Sequence, residues 1–105
     1  MAAPIWAETL LLDATRWWES QGRQIPFTPT LQWCPHHGER SSGCAENYKT
    51  CRMPGLIHLS AGRKRMSQRL VLMHELAHVF TPEQGHTTLF WDTAMTLYRW
   101  AKIPA

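Results

Sequence analysis

Two histidines and a glutamate occupy the run His74-Glu75-Leu76-Ala77-His78, and their spacing suits one chemistry. Residues four apart on a helix stand one turn apart on the same face, so His74 and His78 can aim their imidazoles at a single tetrahedral metal. Glu75 is rotated about a hundred degrees from His74 around the helix axis. Its carboxylate is thereby set off the coordination position and toward a water on the metal, which is the place of a general base. HExxH on a helix is the arrangement with which zinc and a glutamate hydrolyse peptide bonds.

A catalytic zinc takes three protein ligands and keeps one position open. After His78 the chain offers only Glu83, His86 and Asp92. Pro82 cannot continue a helix and Gly85 permits a reversal, so residues 81–85 read as a tight return that brings His86 back against His74 and His78. His86 is the expected third ligand and Glu83 the runner-up. Asp92 is expected either to support a ligand histidine through a hydrogen bond or to face solvent.

Each of these residues needs an element to hold it. Ser67 suits an N-cap, and Leu70, Val71, Leu72, Met73, Leu76, Ala77, Val79 and Phe80 make the following helix apolar nearly all round, as a core helix would be. Two histidines and a glutamate in such surroundings cost stability unless they are paired or metal-bound. A second helix is expected from Thr87 or Thr88 to Ala101, with Leu89, Phe90, Ala94, Leu97, Tyr98 and Ala101 on its buried side. Upstream, Pro4 suits the first turn of a scaffold helix ending near Ser20 before Gly22, with Trp6, Leu10, Asp13 or Ala14, and Trp17 at helical spacing. Residues 25–33 alternate apolar positions around two prolines and predict an edge strand or an irregular extended segment. Gly55 to Ser60 predicts a short strand, with Ile57 and Leu59 on one face and Leu56 and His58 on the other.

HELAHVF followed by GHTTLFW resembles the SprT-like and related minimal zincin metallopeptidases, in which a histidine in a GHGPEF-type segment follows HExxH. Gly55-Leu-Ile-His-Leu-Ser60 is similar to that group's strand before the active-site helix. The likeness spans residues 55 to 100, with Thr87, Thr88 and Leu89 standing where the group often has Gly, Pro and Glu. It implies an α+β minimal zincin with a zinc site, and substrate pairing in extended form along the sheet edge near Gly55 to Ser60. Metzincins are excluded, because Thr81 and Gln84 occupy their glycine and third-histidine positions. Thermolysin-type zincins are disfavoured, since no glutamate follows Glu83.

The chain has 105 residues and a formal net charge of +3, with six tryptophans and three phenylalanines to fill a modest core. That length suits one domain, residues 1–105. There is no run of about 18 apolar residues and no basic start with a cleavage site, so neither a membrane span nor a signal peptide is expected and the cytoplasm is the default location. Arg63, Lys64, Arg65 and Arg69 gather before and inside the metal helix. Nucleic acid is an available but disfavoured partner, because no interleaved aromatics accompany them.

The stretch from Cys34 to Pro54 reads as a long loop that needs a tether or a function. Cys34, His36, His37, Cys44 and Cys51 form a candidate second, structural zinc site. A Cys44–Cys51 disulfide is the rival, and an odd cysteine count of three leaves one thiol unpaired in any internal scheme.

The expected reaction is zinc-dependent peptide hydrolysis, with His74, His78 and His86 on Zn2+, Glu75 as base and a protein or peptide substrate. The second oxyanion donor is open among Tyr98, His58 and an arginine. Two other classes stay in view: a non-catalytic module in which zinc only stabilises an interaction surface, and a nucleic-acid-associated SprT-like protease.

Overall fold

A computed structural model describes residues 3–34, 55–60, 65–83 and 85–103. Among these residues, three helices and a two-stranded parallel sheet make an α+β architecture, in the order α1 (Ile5–Ser20), β1 (Thr30–Cys34), β2 (Leu56–Ser60), α2 (Arg65–Phe80) and α3 (Thr88–Trp100). No helix of the described residues is long and apolar enough to cross a membrane.

Helix α1 starts where Pro4 places it: the proline carbonyl accepts from the N–H groups of Ala7 and Glu8 at 3.0 and 3.3 Å. It ends before Gly22, whose φ of 78° takes the chain out of the helix at little steric cost to glycine. The buried stripe is Ala7, Leu11, Ala14 and Trp18, one residue on from the expected Trp6, Leu10 and Trp17, which pack half-buried along its edge. Two alanines in that stripe let the backbone come close to the core, and the indoles of Trp6 and Trp17 flank it. Trp18 stacks on Phe80 of α2 at 5.2 Å between centroids, and Trp17 stacks on Trp100 of α3 at 5.7 Å.

Pro26 and Pro29 both precede β1, which runs from Thr30 with no proline inside it, as the missing N–H of proline requires of a paired strand. Strands β1 and β2 pair in parallel, Thr30 opposite Leu56 through Cys34 opposite Ser60. Thr30 N–H also donates to the Gly55 carbonyl at 2.9 Å. Gly55 sits at φ 84°, where an added Cβ would lie 2.5 Å from the Thr28 carbonyl oxygen. Ile57, His58 and Leu59 are all buried, so at its centre β2 is covered on both faces, as parallel strands usually are.

Helix α2 begins at Arg65, two residues before the expected cap at Ser67. Arginine and methionine are good helix formers and nothing between Arg65 and Ser67 breaks the turn. It packs against β2, α3 and α1 through Leu72, Met73, Leu76, Ala77 and Phe80, while Leu70 stays exposed. Helix α3 is capped by the Thr87 hydroxyl, which accepts from Phe90 N–H at 3.4 Å. Its buried face is Phe90, Thr93, Ala94, Leu97 and Tyr98. Leu89, expected inside, is 53% exposed, because it falls off that stripe and Thr93 takes the inward place. The helix closes with Lys102 at φ 58° and Ile103 N–H donating to the Tyr98 carbonyl at 2.9 Å. This is a Schellman-type ending with a buried isoleucine beyond it.

Candidate metal centre

Helix α2 carries His74 and His78 on one face, and the turn after it returns His86 to them. Among the described residues of that reversal, Glu83 at φ 67° and Gly85 at φ 57° are left-handed. It starts from Thr81, whose hydroxyl donates to the Ala77 carbonyl at 2.7 Å. The result is a group of three imidazoles whose ligand atoms all lie within 4.8 Å of one another and could hold a metal ion. Ring centroids are 5.1 Å apart for His74 and His78, 5.3 Å for His74 and His86, and 5.0 Å for His78 and His86.

The closest approach tests the fit. His78 Nε2 lies 3.2 Å from His86 Nε2. Two nitrogens each about 2.0–2.1 Å from one tetrahedral zinc are separated by about 3.3–3.4 Å. The two rings therefore already stand at the spacing a shared metal needs. Two neutral imidazoles in this relation need either a proton or a cation between their lone pairs. Among the described residues the donor set is three imidazoles, which suits zinc and other late first-row metals.

Aromatic side chains hold the rings. Phe90, fully buried, stacks on His78 with centroids 4.2 Å apart and planes 26° apart, and it also touches His74 and His86. Trp91, 42% exposed, has its ring centroid 5.6 Å from that of His86 and 5.8 Å from that of His74. Both follow His86 on the first turn of α3. The Thr87 hydroxyl that caps α3 was a local signal in the sequence for where that helix starts.

The electrostatics follow from this crowding. Burial lowers the His74 pKa, with the charge of His86 adding to it. Burial, then the charges of His74 and His86, take His78 down to about 4. The closeness that suits one cation makes several protonated imidazoles repel. Glu75 is half-buried, and burial pushes its carboxyl above the usual range. Burial first, and the Glu75 charge second, push the Tyr98 phenol up as well, so phenol and carboxylate share one neighbourhood.

The remaining candidates do not belong to the three-donor group. Glu83 and Asp92 are both exposed and neither belongs to the three-donor group. Tyr98 places its hydroxyl 3.2 Å from His74 Nδ1. His58 is buried in β2. Arg69 is turned toward the end of α3, where its guanidinium donates to the Ala101 carbonyl. Arg63 and Lys64, and His36, His37, Cys44 and Cys51 of the second candidate zinc site, lie outside the described residues, while Cys34 is placed only as the last residue of β1.

Comparison with protein-family models, with curated proteins and with solved structures finds no match to this chain.

Proposed function

We propose that this chain is a zinc-dependent metallopeptidase of minimal zincin type, with His74, His78 and His86 as the metal ligands and Glu75 as the general base. The observation that carries the reading is the convergence of three imidazoles, two of them with Nε2 atoms 3.2 Å apart, on the helix that also bears a half-buried glutamate. A zinc ion in a three-histidine site supplies a Lewis acid for the scissile carbonyl and lowers the pKa of water to about 7. The rest of the chemistry belongs to the chain.

Glu75 takes the proton of the attacking water. A carboxyl held above its ordinary range by burial is a stronger base than a solvated one and holds the proton long enough to hand it on. As the C–O bond forms and the C–N bond breaks, that proton goes to the leaving amine nitrogen. Trp91 beside the histidines gives an apolar wall against which a substrate side chain can lie.

The deciding variant is Glu75→Gln, tested on an unfolded protein substrate with metal content measured in parallel. Loss of cleavage by about 100-fold or more, the scale of general-base catalysis, with zinc retained is the expected result. Cleavage that continues unchanged in the loaded variant rules the enzyme reading out. A chain that holds zinc and cleaves nothing in either form is a metal-stabilised interaction module instead.

A further inference from the structure

A histidine that gives one ring nitrogen to a metal must do something with the other. For His74, the hydroxyl of Tyr98 lies 3.2 Å from Nδ1, which leaves Nε2 as the nitrogen to join His78 and His86. Tyr98 comes from the far end of α3, and its position is set by the core rather than by the site. It is 8% exposed and shares the buried stripe with Phe90, Ala94 and Leu97. Its own carbonyl accepts from Ile103 N–H in the turn that closes the helix. The hydroxyl is therefore held in place before any metal arrives.

We propose that Tyr98 is a positioning residue of this centre, its hydroxyl oxygen accepting from His74 Nδ1–H so that Nε2 is the nitrogen presented to the metal. The inference rests on the metal-binding reading of the three imidazoles, and it takes Tyr98 away from the role of oxyanion donor. Metal on Nε2 requires the proton on Nδ1. In a half-buried ring that N–H needs an acceptor, and partners of this kind fix both tautomer and ring orientation and raise the basicity of the ligand. His74 and His78 share a helix, whereas Tyr98 stands on α3. The contact thus also ties the metal helix to the helix that carries Phe90, the ring stacked on His78.

The test is Tyr98→Phe in the full chain, with zinc affinity measured by chelator competition and the His74 ring followed by 1H–15N NMR in the zinc-loaded protein. The expected result is a zinc affinity about 10- to 100-fold weaker, accompanied by loss of a slowly exchanging His74 Nδ1–H proton that the unsubstituted protein displays. Unchanged affinity overturns the assignment. So does weaker affinity with the His74 proton still protected, because a purely structural role for Tyr98 would give that combination. Should Tyr98→Phe not fold, the spectrum of the unsubstituted zinc-loaded protein decides: a protected Nδ1–H on His74 supports the proposal, and an unprotected one or an Nε2–H tautomer rejects it. None of these readouts depends on peptide cleavage. A failed Glu75→Gln test therefore removes the peptidase reading and leaves this one standing, while absence of any zinc binding by His74, His78 and His86 removes both.

Discussion

Replacing His86 with alanine puts a number on the three-imidazole site. Structural zinc sites with four ligands bind with roughly 10–16 kcal/mol, or about 3 kcal/mol per ligand, and losing one ligand on that scale weakens binding by about 100-fold or more. His86 is exposed on a turn, so its removal should change the stability of the metal-free fold by no more than about 0.5 kcal/mol. The contrast is read by thermal unfolding. Zinc at about 100 times its dissociation constant stabilises the native chain by about 2.7 kcal/mol, which for a domain near this size raises Tm by about 10–20 °C. The same zinc concentration is then no higher than the variant's dissociation constant, which leaves about 0.4 kcal/mol and a rise of about 2–3 °C. Taking the difference between the two proteins cancels any zinc held by Cys34, Cys44 and Cys51. Equal zinc-dependent shifts in both would refute the assignment of His86. A large drop in the metal-free Tm of the variant would show instead that the histidine holds the turn.

Acid should destabilise the metal-free protein through its histidines. His74 and His78 have folded pKa values below the unfolded 6.5, so the unfolded chain takes up protons first as pH falls. Stability is then lost from about pH 6.5 downward, for His78 until about pH 4. Glu75, with its pKa raised, acts in the opposite sense: its burial costs stability as pH rises past 4.5, and acid relieves that cost. Urea midpoints between pH 7.5 and 4.5 should fall with acid in the native sequence and fall less in His78→Gln; parallel curves would contradict the origin given for the shift. Gly55→Ala should destabilise strongly, by about 1–3 kcal/mol from the left-handed backbone alone and further from the 2.5 Å approach to the Thr28 carbonyl. Chemical denaturation checks it, and a change within about 0.5 kcal/mol would mean that the turn relaxes freely.

The helices could be read from the chain because their signals are local. Pro4 and Gly22 bracket α1, Thr87 caps α3, and the buried positions of each recur with the helical period. His86 could be anticipated for the same reason, since Pro82 and Gly85 confine the return to a few residues. What was missed depends on packing between distant segments. Neither the parallel pairing of Thr30–Cys34 with Leu56–Ser60 nor the inward turn of Arg69 to Ala101 has a signature within a short window. Leu89 and Phe90 are equally apolar neighbours, and only the angle at which α3 meets α2 sends one outward and the other onto His78. Tyr98, His58 and an arginine were equivalent as polar groups in the sequence; the packing of α3 brought the phenol to Nδ1 of His74 and so gave it a different task from the one first considered.

The stack of Trp17 on Trp100 joins helices from opposite ends of the described chain, and this bears on when the centre can come into being during synthesis. Helix α1 is made first, then the sheet and α2, and α3 follows them. Until α3 emerges, Trp17 lacks its partner, and His78 and His74 lack Phe90 and Tyr98. A growing chain that already displays HELAH has two of the imidazoles but neither the floor beneath them nor the hydroxyl behind them. Support for the three imidazoles is thereby deferred until α3 has been made, and a product cut short between His86 and Phe90 would carry His74, His78 and His86 without the ring and the hydroxyl that hold them.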